Sequence, residues 1–291
     1  MGKLIAKNYP TKLFLKAADH TYVECGTGAK SWSCWGGNSG GQFLNSGFGS
    51  TQRANEIAEP DERAGITRYL IDGVCHQAAN RILLPAKILV SQARGYRLSS
   101  AIFGTYGKSP FNQFQDISGD LSECYSEQKE YSSRKKFNPN ENEDLKIISA
   151  NLEIYNKYAR KSYLISSNLE GFSKNYLNMQ SDIFSAEIEI WGAELISNKQ
   201  INQLIEVKYD FEHKVLKQES SLLLDDSKSA IDFIRAFNKY TNDFQSGFAD
   251  ILNDKEYELL LKLNRKERLS LIDPIALDQA YGDGTYEKAL L

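Results

Sequence analysis

Glycine is divided unevenly along this 291-residue chain, and that division limits the folds it can adopt. Residues 1–112 hold 14 of the 20 glycines, whereas residues 142–281 hold three glycines and one proline and are rich in Lys, Glu, Leu, Ile and Asn. Glycine and proline interrupt helices, so the second half favours long helices and the first half favours strands and turns. The pattern predicts an α+β module over residues 1–114, a polar linker over 115–142 and a helical region over 143–291.

Composition and charge argue against several kinds of partner. The chain is 41% apolar, which is enough for a packed core, and its net charge of −3 gives no general basis for binding nucleic acid or anionic lipid. Residues 1–20 contain no apolar run of signal-peptide length, and no stretch reaches the ~20 apolar residues of a membrane span. We expect a cytoplasmic protein without nucleic-acid or membrane partners, with signal-independent export left open.

Two runs in the first half predict the elements on which the rest depends. The run His20–Cys25 is β-like and is bounded by Ala-Ala-Asp before it and Gly26 after it, which is typical of a strand. The run 74–84 is compatible with a helix that ends at Pro85 and has Asp72 as its N-cap.

The neighbouring segments predict further short elements. Residues 26–50 contain eight glycines and favour loops, with one short strand near 41–44. Residues 87–93 and 96–103 predict two strands joined by Arg94-Gly95 as a hairpin.

The second half predicts three to five amphipathic helices, in a bundle or packed on the first module. Apolar residues recur every three or four positions, with Lys, Glu and Asp on much of the opposite faces. The clearest helix covers 229–252, and others fall within 145–159 and 204–215.

Cys75 is the strongest candidate for chemistry. It lies near the start of a predicted helix, where free backbone N–H groups and the helix dipole favour a thiolate, so we expect its pKa to lie below the ordinary value. A thiolate is the nucleophilic form, and the same N–H groups can hold an oxyanion. The alternative interpretation is a buried structural thiol.

A thiol nucleophile needs a base, and the chain has three histidines. His76 follows Cys75 directly and points about 100° away from it on a helix. His213 lies in the Lys/Glu-rich half and is expected at the surface. His20 opens a strand that can lie beside the Cys75 helix, so it is the candidate base, with a capping or partly buried histidine as the alternative.

The order of these elements resembles the papain-like cysteine hydrolases, and in particular the circularly permuted NlpC-type group, which includes the lecithin:retinol acyltransferase-like proteins. His20-Thr-Tyr-Val looks like the histidine strand, and Gly73-Val-Cys75-His-Gln-Ala-Ala-Asn80 looks like the cysteine helix. The resemblance covers about 100 residues and leaves the helical half outside it.

The resemblance implies two further site residues. A polar residue on the next strand would orient the base, and the candidates are Gln42, Asn45 and Asn38, of which Gln42 is preferred. Tyr69 lies six residues before Cys75, where papain-like enzymes often keep a side-chain oxyanion donor. The alternatives are a solvated amide for Gln42 and an ordinary packed tyrosine for Tyr69.

A second cysteine lies in a glycine-rich loop. Ser31-Trp-Ser-Cys34-Trp35 resembles the papain signature around its cysteine, but the glycines that follow are poor at forming the helix a thiolate needs. Trp32, Trp35, Gly36 and Gly37 instead predict the wall of a substrate cleft, because glycines allow close approach and indoles supply apolar surface. The alternative is a loop that only packs on the core.

No cofactor or metal is predicted. Cys25, Cys34, Cys75 and His76 could supply four zinc ligands, but their spacing matches no familiar zinc pattern. The glycines of 36–41 lack the strand–helix context of a phosphate-binding loop.

Together these features predict a cysteine-dependent hydrolase or acyltransferase acting on an amide, peptide or other acyl substrate through a thioester on Cys75. His20 would accept the thiol proton and return it to the leaving group. The helical region would cover the cleft or bind the substrate or a protein partner. The alternative is a non-enzymatic helical interaction protein with structural cysteines.

Overall fold

The chain has a mixed α+β architecture. It is known from a computed structural model. The residues described by the structure are 1–9, 18–26, 31–32, 39–59, 72–108, 142–162, 169–192, 195–219 and 227–272.

Four strands form one antiparallel sheet in the order β3-β2-β1-β4. They are β1 (Gly2–Tyr9), β2 (His20–Cys25), β3 (Ser31–Trp32) and β4 (Gln42–Gly49). The predicted strand at His20–Cys25 is confirmed, and the strand predicted near 41–44 is confirmed but is longer.

The central strand, β1, was not singled out from the sequence. Leu4 and Ala6 are fully buried on one face, whereas the alternate residues Lys3 and Lys7 are exposed and half-buried on the other. Lysines alternating with small apolar residues give the period-two pattern of a strand with one covered face. The covered face receives the helix that carries Cys75.

Eight α-helices lie among the described residues. Those of the second half confirm the amphipathic periods in the sequence. The helices are α1 (51–59), α2 (Cys75–Leu83), α3 (Tyr96–Phe103), α4 (Glu143–Ser162), α5 (Leu169–Gly192), α6 (Asn198–Glu219), α7 (Ser227–Ile251) and α8 (Asp254–Leu261).

The predicted hairpin after α2 is wrong. Residues 88–95 have no regular structure, and the second predicted strand is helix α3. Every residue of α3 is buried, so no polar face marks a helical period. Gly95 and Gly104 flank it with φ of 84° and 76°, which are left-handed values that glycine adopts without strain.

The predicted N-cap of α2 is also wrong. Val74 is the N-cap residue, and its backbone N–H donates to Gln77 Oε1 at 3.1 Å. The Asp72 backbone carbonyl instead accepts the backbone N–H of Lys108 at 2.7 Å. The segment before Cys75 is therefore held by Gln77 and by the loop that follows α3.

The helical half packs directly on the first half, and the two share one core. Phe103 of α3 stacks on Phe237 of α7, with ring centroids 5.5 Å apart. The buried Arg97 donates to the Leu259 carbonyl at 2.6 Å and pairs with Glu143 at 2.5 Å. Except for Asn142, the predicted linker over 115–142 lies outside the described residues.

Candidate active site

The first turn of α2 lies against the start of β2. Cys75 is the first residue of α2, and its thiol donates to the backbone carbonyl of Asp19, with Sγ and O 3.6 Å apart. The Nε2 atom of His76 lies 2.9 Å from the same carbonyl oxygen. That carbonyl belongs to the peptide bond joining Asp19 to His20, so both side chains contact the backbone directly before the predicted base.

The Cys75 thiol is buried, with 5% of the residue exposed. Burial raises its pKa to about 11, although the backbone amides of Thr21 and His76 act in the opposite direction. The expectation of a lowered pKa is therefore wrong, because removing the charged form from water outweighs the helix terminus. At pH 7 only roughly one thiol in ten thousand is ionised.

His76 is a fixed neutral imidazole. Burial lowers its pKa to about 3, and a nearby His20 contributes to that shift. Because a carbonyl can only accept, Nε2 carries the proton and donates to Asp19. Nδ1 faces the Ser99 hydroxyl, 2.8 Å away. That hydroxyl accepts from Gln77 Nε2 at 3.2 Å and has the Tyr96 carbonyl, also 2.8 Å away, as a second acceptor for its one proton. The lone pair of His76 points to Ser99, so His76 is not the base for Cys75.

His20 lies at the start of β2 and is 9% exposed. In the sheet it stands opposite Tyr9 of β1. Its imidazole is close enough to His76 to affect the pKa of that residue. The described contacts join His20 to Cys75 through the Asp19 peptide, and the assignment of His20 as base remains a prediction.

The sheet does not bring Gln42 beside His20. Gln42 is exposed on the edge strand β4 and stands opposite Asn8 of β1, so β1 separates it from β2. Two strand spacings amount to about 10 Å. Asn8 is nearer, and its side-chain amide donates to the Asp19 carboxylate at 2.6 Å. The other described candidate, Asn45, accepts the backbone N–H of Ser46 at 2.8 Å.

Trp32 lies in the core. It is 2% exposed, and its indole N–H donates to Asn55 of α1 at 3.2 Å. This placement agrees with the alternative of a loop that packs on the core. The remaining candidate residues lie outside the described residues: Cys34, Trp35, Gly36, Gly37, Asn38 and Tyr69.

Three residues at this site were missed in the sequence. Thr21 comes directly after His20 on β2. Because side chains alternate along a strand, the sequence places Thr21 on the face of β2 that Val23 and Cys25 share. In the sequence, Asp19 marks only the boundary of a strand. Ser99 falls in the predicted strand over 96–103, and its contact with His76 has no signal in the sequence.

A second buried polar cluster joins the two halves of the chain. Glu187 of α5 is fully buried and accepts from Ser100 Oγ at 2.8 Å and from Thr105 Oγ1 at 2.6 Å. Its carboxylate also accepts the Thr105 backbone N–H at 3.1 Å. Burial nevertheless raises the pKa of Glu187 to about 7, because these donors offset only part of the desolvation.

Glu187 is expected to make the stability of the protein depend on pH. Its folded pKa of about 7 lies above the ordinary 4.5, so its contribution is complete below 4.5 and is lost as pH rises through 7. Glu187→Gln should flatten the fall in the free energy of unfolding between about pH 5 and pH 8, a span worth up to about 3 kcal/mol. Denaturant titrations at several pH values measure the free energy of unfolding. Glu153→Gln, at an exposed position, is the control, and an equal slope in both variants would refute the assignment.

The described residues place limits on other kinds of site. Within them, no three His, Cys, Asp or Glu side chains gather closely enough to hold a metal ion. No helix in the described part of the chain has the length and apolar character needed to cross a bilayer.

Comparisons with protein-family models, with curated proteins and with solved structures gave no match.

Proposed function

We propose that this protein is a cysteine-dependent hydrolase or acyltransferase, acting on an amide, peptide or other acyl substrate, with the strand-then-helix order of the permuted papain-like enzymes. One observation carries the proposal. The first residue of α2, Cys75, has its thiol on the Asp19 carbonyl, one peptide bond from His20. Acyl transfer to sulfur needs a thiol with a base within hydrogen-bond reach, and this contact brings the thiol to the backbone directly before the candidate base.

The raised pKa of Cys75 determines how the reaction starts. A thiol with a pKa of about 11 does not rest as a thiolate paired with an imidazolium. His20 instead takes the proton while the sulfur attacks the acyl carbon, as a general base. The S–C bond forms and the carbonyl oxygen takes up negative charge, which the backbone N–H of Cys75, at the N-terminus of α2, would stabilise.

Collapse of that intermediate breaks the bond to the leaving group. His20 returns the proton to the departing amine or alcohol, and an acyl thioester stays on Cys75. Water or an amine then attacks the thioester while His20 accepts its proton. The acyl group leaves as an acid or an amide, the sulfur regains a proton from His20, and the cycle closes.

The burial of the thiol favours a second candidate, a non-enzymatic helical interaction protein. Cys75, His76 and Ser99 have hydrogen-bond partners within the core, as expected for structural polar residues. In that case the helical half would supply the binding surface. The two candidates differ in whether the thiol reacts in the folded protein.

Cys75→Ser tests the proposal directly, with release of nitrophenolate from p-nitrophenyl acetate by the whole chain as the measurement. A small acetyl group is chosen because only 5% of Cys75 is exposed. We expect Cys75→Ser to lower turnover by at least a hundredfold, since a serine hydroxyl is a much weaker nucleophile. Cys25→Ser changes the other buried cysteine among the described residues, which lies on β2, and this variant should retain turnover. Equal rates in both variants would favour the interaction protein.

A further inference from the structure

Thr21 carries a buried hydroxyl that the fold leaves unpaired. The residue is 1% exposed, and its Oγ1 atom has no hydrogen-bond partner in the described part of the chain. Buried hydroxyls are nearly always paired, because an unpaired one loses its hydrogen bonds to water without replacement. An exception beside a reactive group requires an explanation.

The hydroxyl belongs to the strand segment that contacts Cys75. Thr21 follows His20 on β2, and the Cys75 sulfur lies 3.6 Å from the carbonyl oxygen of Asp19. Burial raises the pKa of this thiol, and the hydroxyl and backbone amide of Thr21 both lower that pKa in part. The alternate residues Val23 and Cys25 share the Thr21 face of β2 and are buried in the core.

The other side chains near the sulfur do not offer the same stabilisation. The Asp19 side chain disfavours a negative sulfur, and the neutral His76 already donates to the Asp19 carbonyl. His20 is needed to take the proton in the proposed reaction. Thr21 is thus the side-chain hydroxyl that can turn to the sulfur without giving up a partner.

We propose that Thr21 is a further catalytic residue, whose hydroxyl donates a hydrogen bond to the Cys75 sulfur as the thiol loses its proton. This inference rests on the proposed function. While the sulfur is a thiol bonded to Asp19 it is only a weak acceptor for the hydroxyl, and it becomes a strong one when charge develops on it. Once the sulfur becomes a thioester, the hydroxyl is released again.

Thr21→Val removes the hydroxyl and keeps the shape of the side chain, so it tests this bond. Losing a hydrogen bond to a charged group raises a pKa by about one unit, which lowers the thiolate fraction about tenfold. The more basic thiolate is about threefold more nucleophilic, so we expect alkylation of Cys75 by iodoacetamide at about pH 8.5 to slow about threefold. Peptide mass spectrometry follows each cysteine separately.

Two matched variants separate this effect from a change in packing. Thr21→Ser keeps the hydroxyl and should alkylate at close to the original rate. Thr241→Val makes the same change on α7, where Thr241 is also fully buried with an unpaired hydroxyl, and should leave Cys75 unaffected. If Thr21→Val only destabilised the protein, the thiol would be exposed more often and would be alkylated faster, whereas loss of the hydrogen bond makes alkylation slower.

The outcomes are distinct for the two proposals. Slower alkylation in Thr21→Val, but not in the two matched variants, supports the hydrogen bond. If the turnover of p-nitrophenyl acetate by Thr21→Val falls by the same factor as its alkylation rate, the catalytic role is supported as well. An unchanged or faster alkylation rate in Thr21→Val, or an equal effect from Thr241→Val, overturns the inference while leaving turnover at Cys75 intact. Loss of the proposed function itself would appear in the original protein, as absence of turnover.

Discussion

Replacing Glu212 with glutamine is expected to lower the free energy of unfolding by about 3–5 kcal/mol, because it leaves buried positive charge without its partner. Glu212 of α6 is 2% exposed and lies 2.6 Å from the Lys208 ammonium and 3.4 Å from that of Lys108. Burial alone would raise the pKa of Glu212, but the two lysines lower it below the ordinary value. Guanidinium titration with a fluorescence readout measures the change.

The comparison variant for this prediction is Glu206→Gln, on the same helix at an exposed position. Its expected effect is below about 0.5 kcal/mol. Replacing Lys208 with methionine and Glu212 with leucine together should recover part of the loss, because a buried ion pair often exchanges for apolar residues at little cost. A Glu212→Gln loss no larger than that of Glu206→Gln would show that the pair is solvated.

The buried ion pairs of Lys108, Lys208, Glu212 and Glu219 connect the helical half to the first half of the chain. Lys208 of α6 donates to the Ile102 carbonyl at the end of α3. Lys108, whose ammonium also pairs with Glu219 at 3.2 Å, holds the Asp72 carbonyl through its backbone N–H. Carboxylates of the helical half therefore fix the segment that leads into Cys75. In a fragment that contains residues 1–114 alone, we expect the Lys108 ammonium to lack its carboxylate partners Glu212 and Glu219.

The three histidines are expected to respond differently to replacement. His20→Ala should lower p-nitrophenyl acetate turnover by about 100-fold to 10,000-fold, the usual contribution of a general base. Added imidazole should restore part of that turnover. His76→Ala should mainly lower stability, because it leaves the Ser99 hydroxyl and the Asp19 carbonyl with fewer partners. His213→Ala is the control, since His213 is exposed on α6.

Turnover and melting temperature must be measured together on these variants. The proposal requires His20→Ala to lose turnover at a melting temperature close to that of the original protein. If its turnover falls only in proportion to lost stability, and imidazole restores none, then His20 is structural. If only His76→Ala lost turnover, the base would be His76 and not His20, which would contradict the structural role that its hydrogen bonds indicate.

Much of the fold follows from patterns in the sequence. Strand β2, helix α2 and the long helices of the second half carry local signals, namely turn residues at their ends or a clear apolar period. Helix α3 carries none, because it is buried on every side and its order of apolar and polar residues resembles a strand. The central strand β1 was missed because its lysines make the segment look solvated.

The site was predictable in its parts but not in its energetics. The sequence indicated that Cys75 begins a helix and that His20 begins a strand, and both placements are confirmed. The sign of the pKa shift depends on how deeply the sulfur is buried, which no local pattern encodes. The role of Ser99 depends on packing between α2 and α3, and such contacts arise only when the chain folds.

The most direct test of the central claim is to locate the covalent intermediate. Native protein is mixed with p-nitrophenyl acetate, quenched in acid and mapped by peptide mass spectrometry, with protein unfolded in guanidinium as the reference. The account predicts one acetyl group on Cys75 in the folded protein, absent in His20→Ala. Acetyl groups spread over lysines, or equal labelling of Cys75 and Cys25, would contradict it.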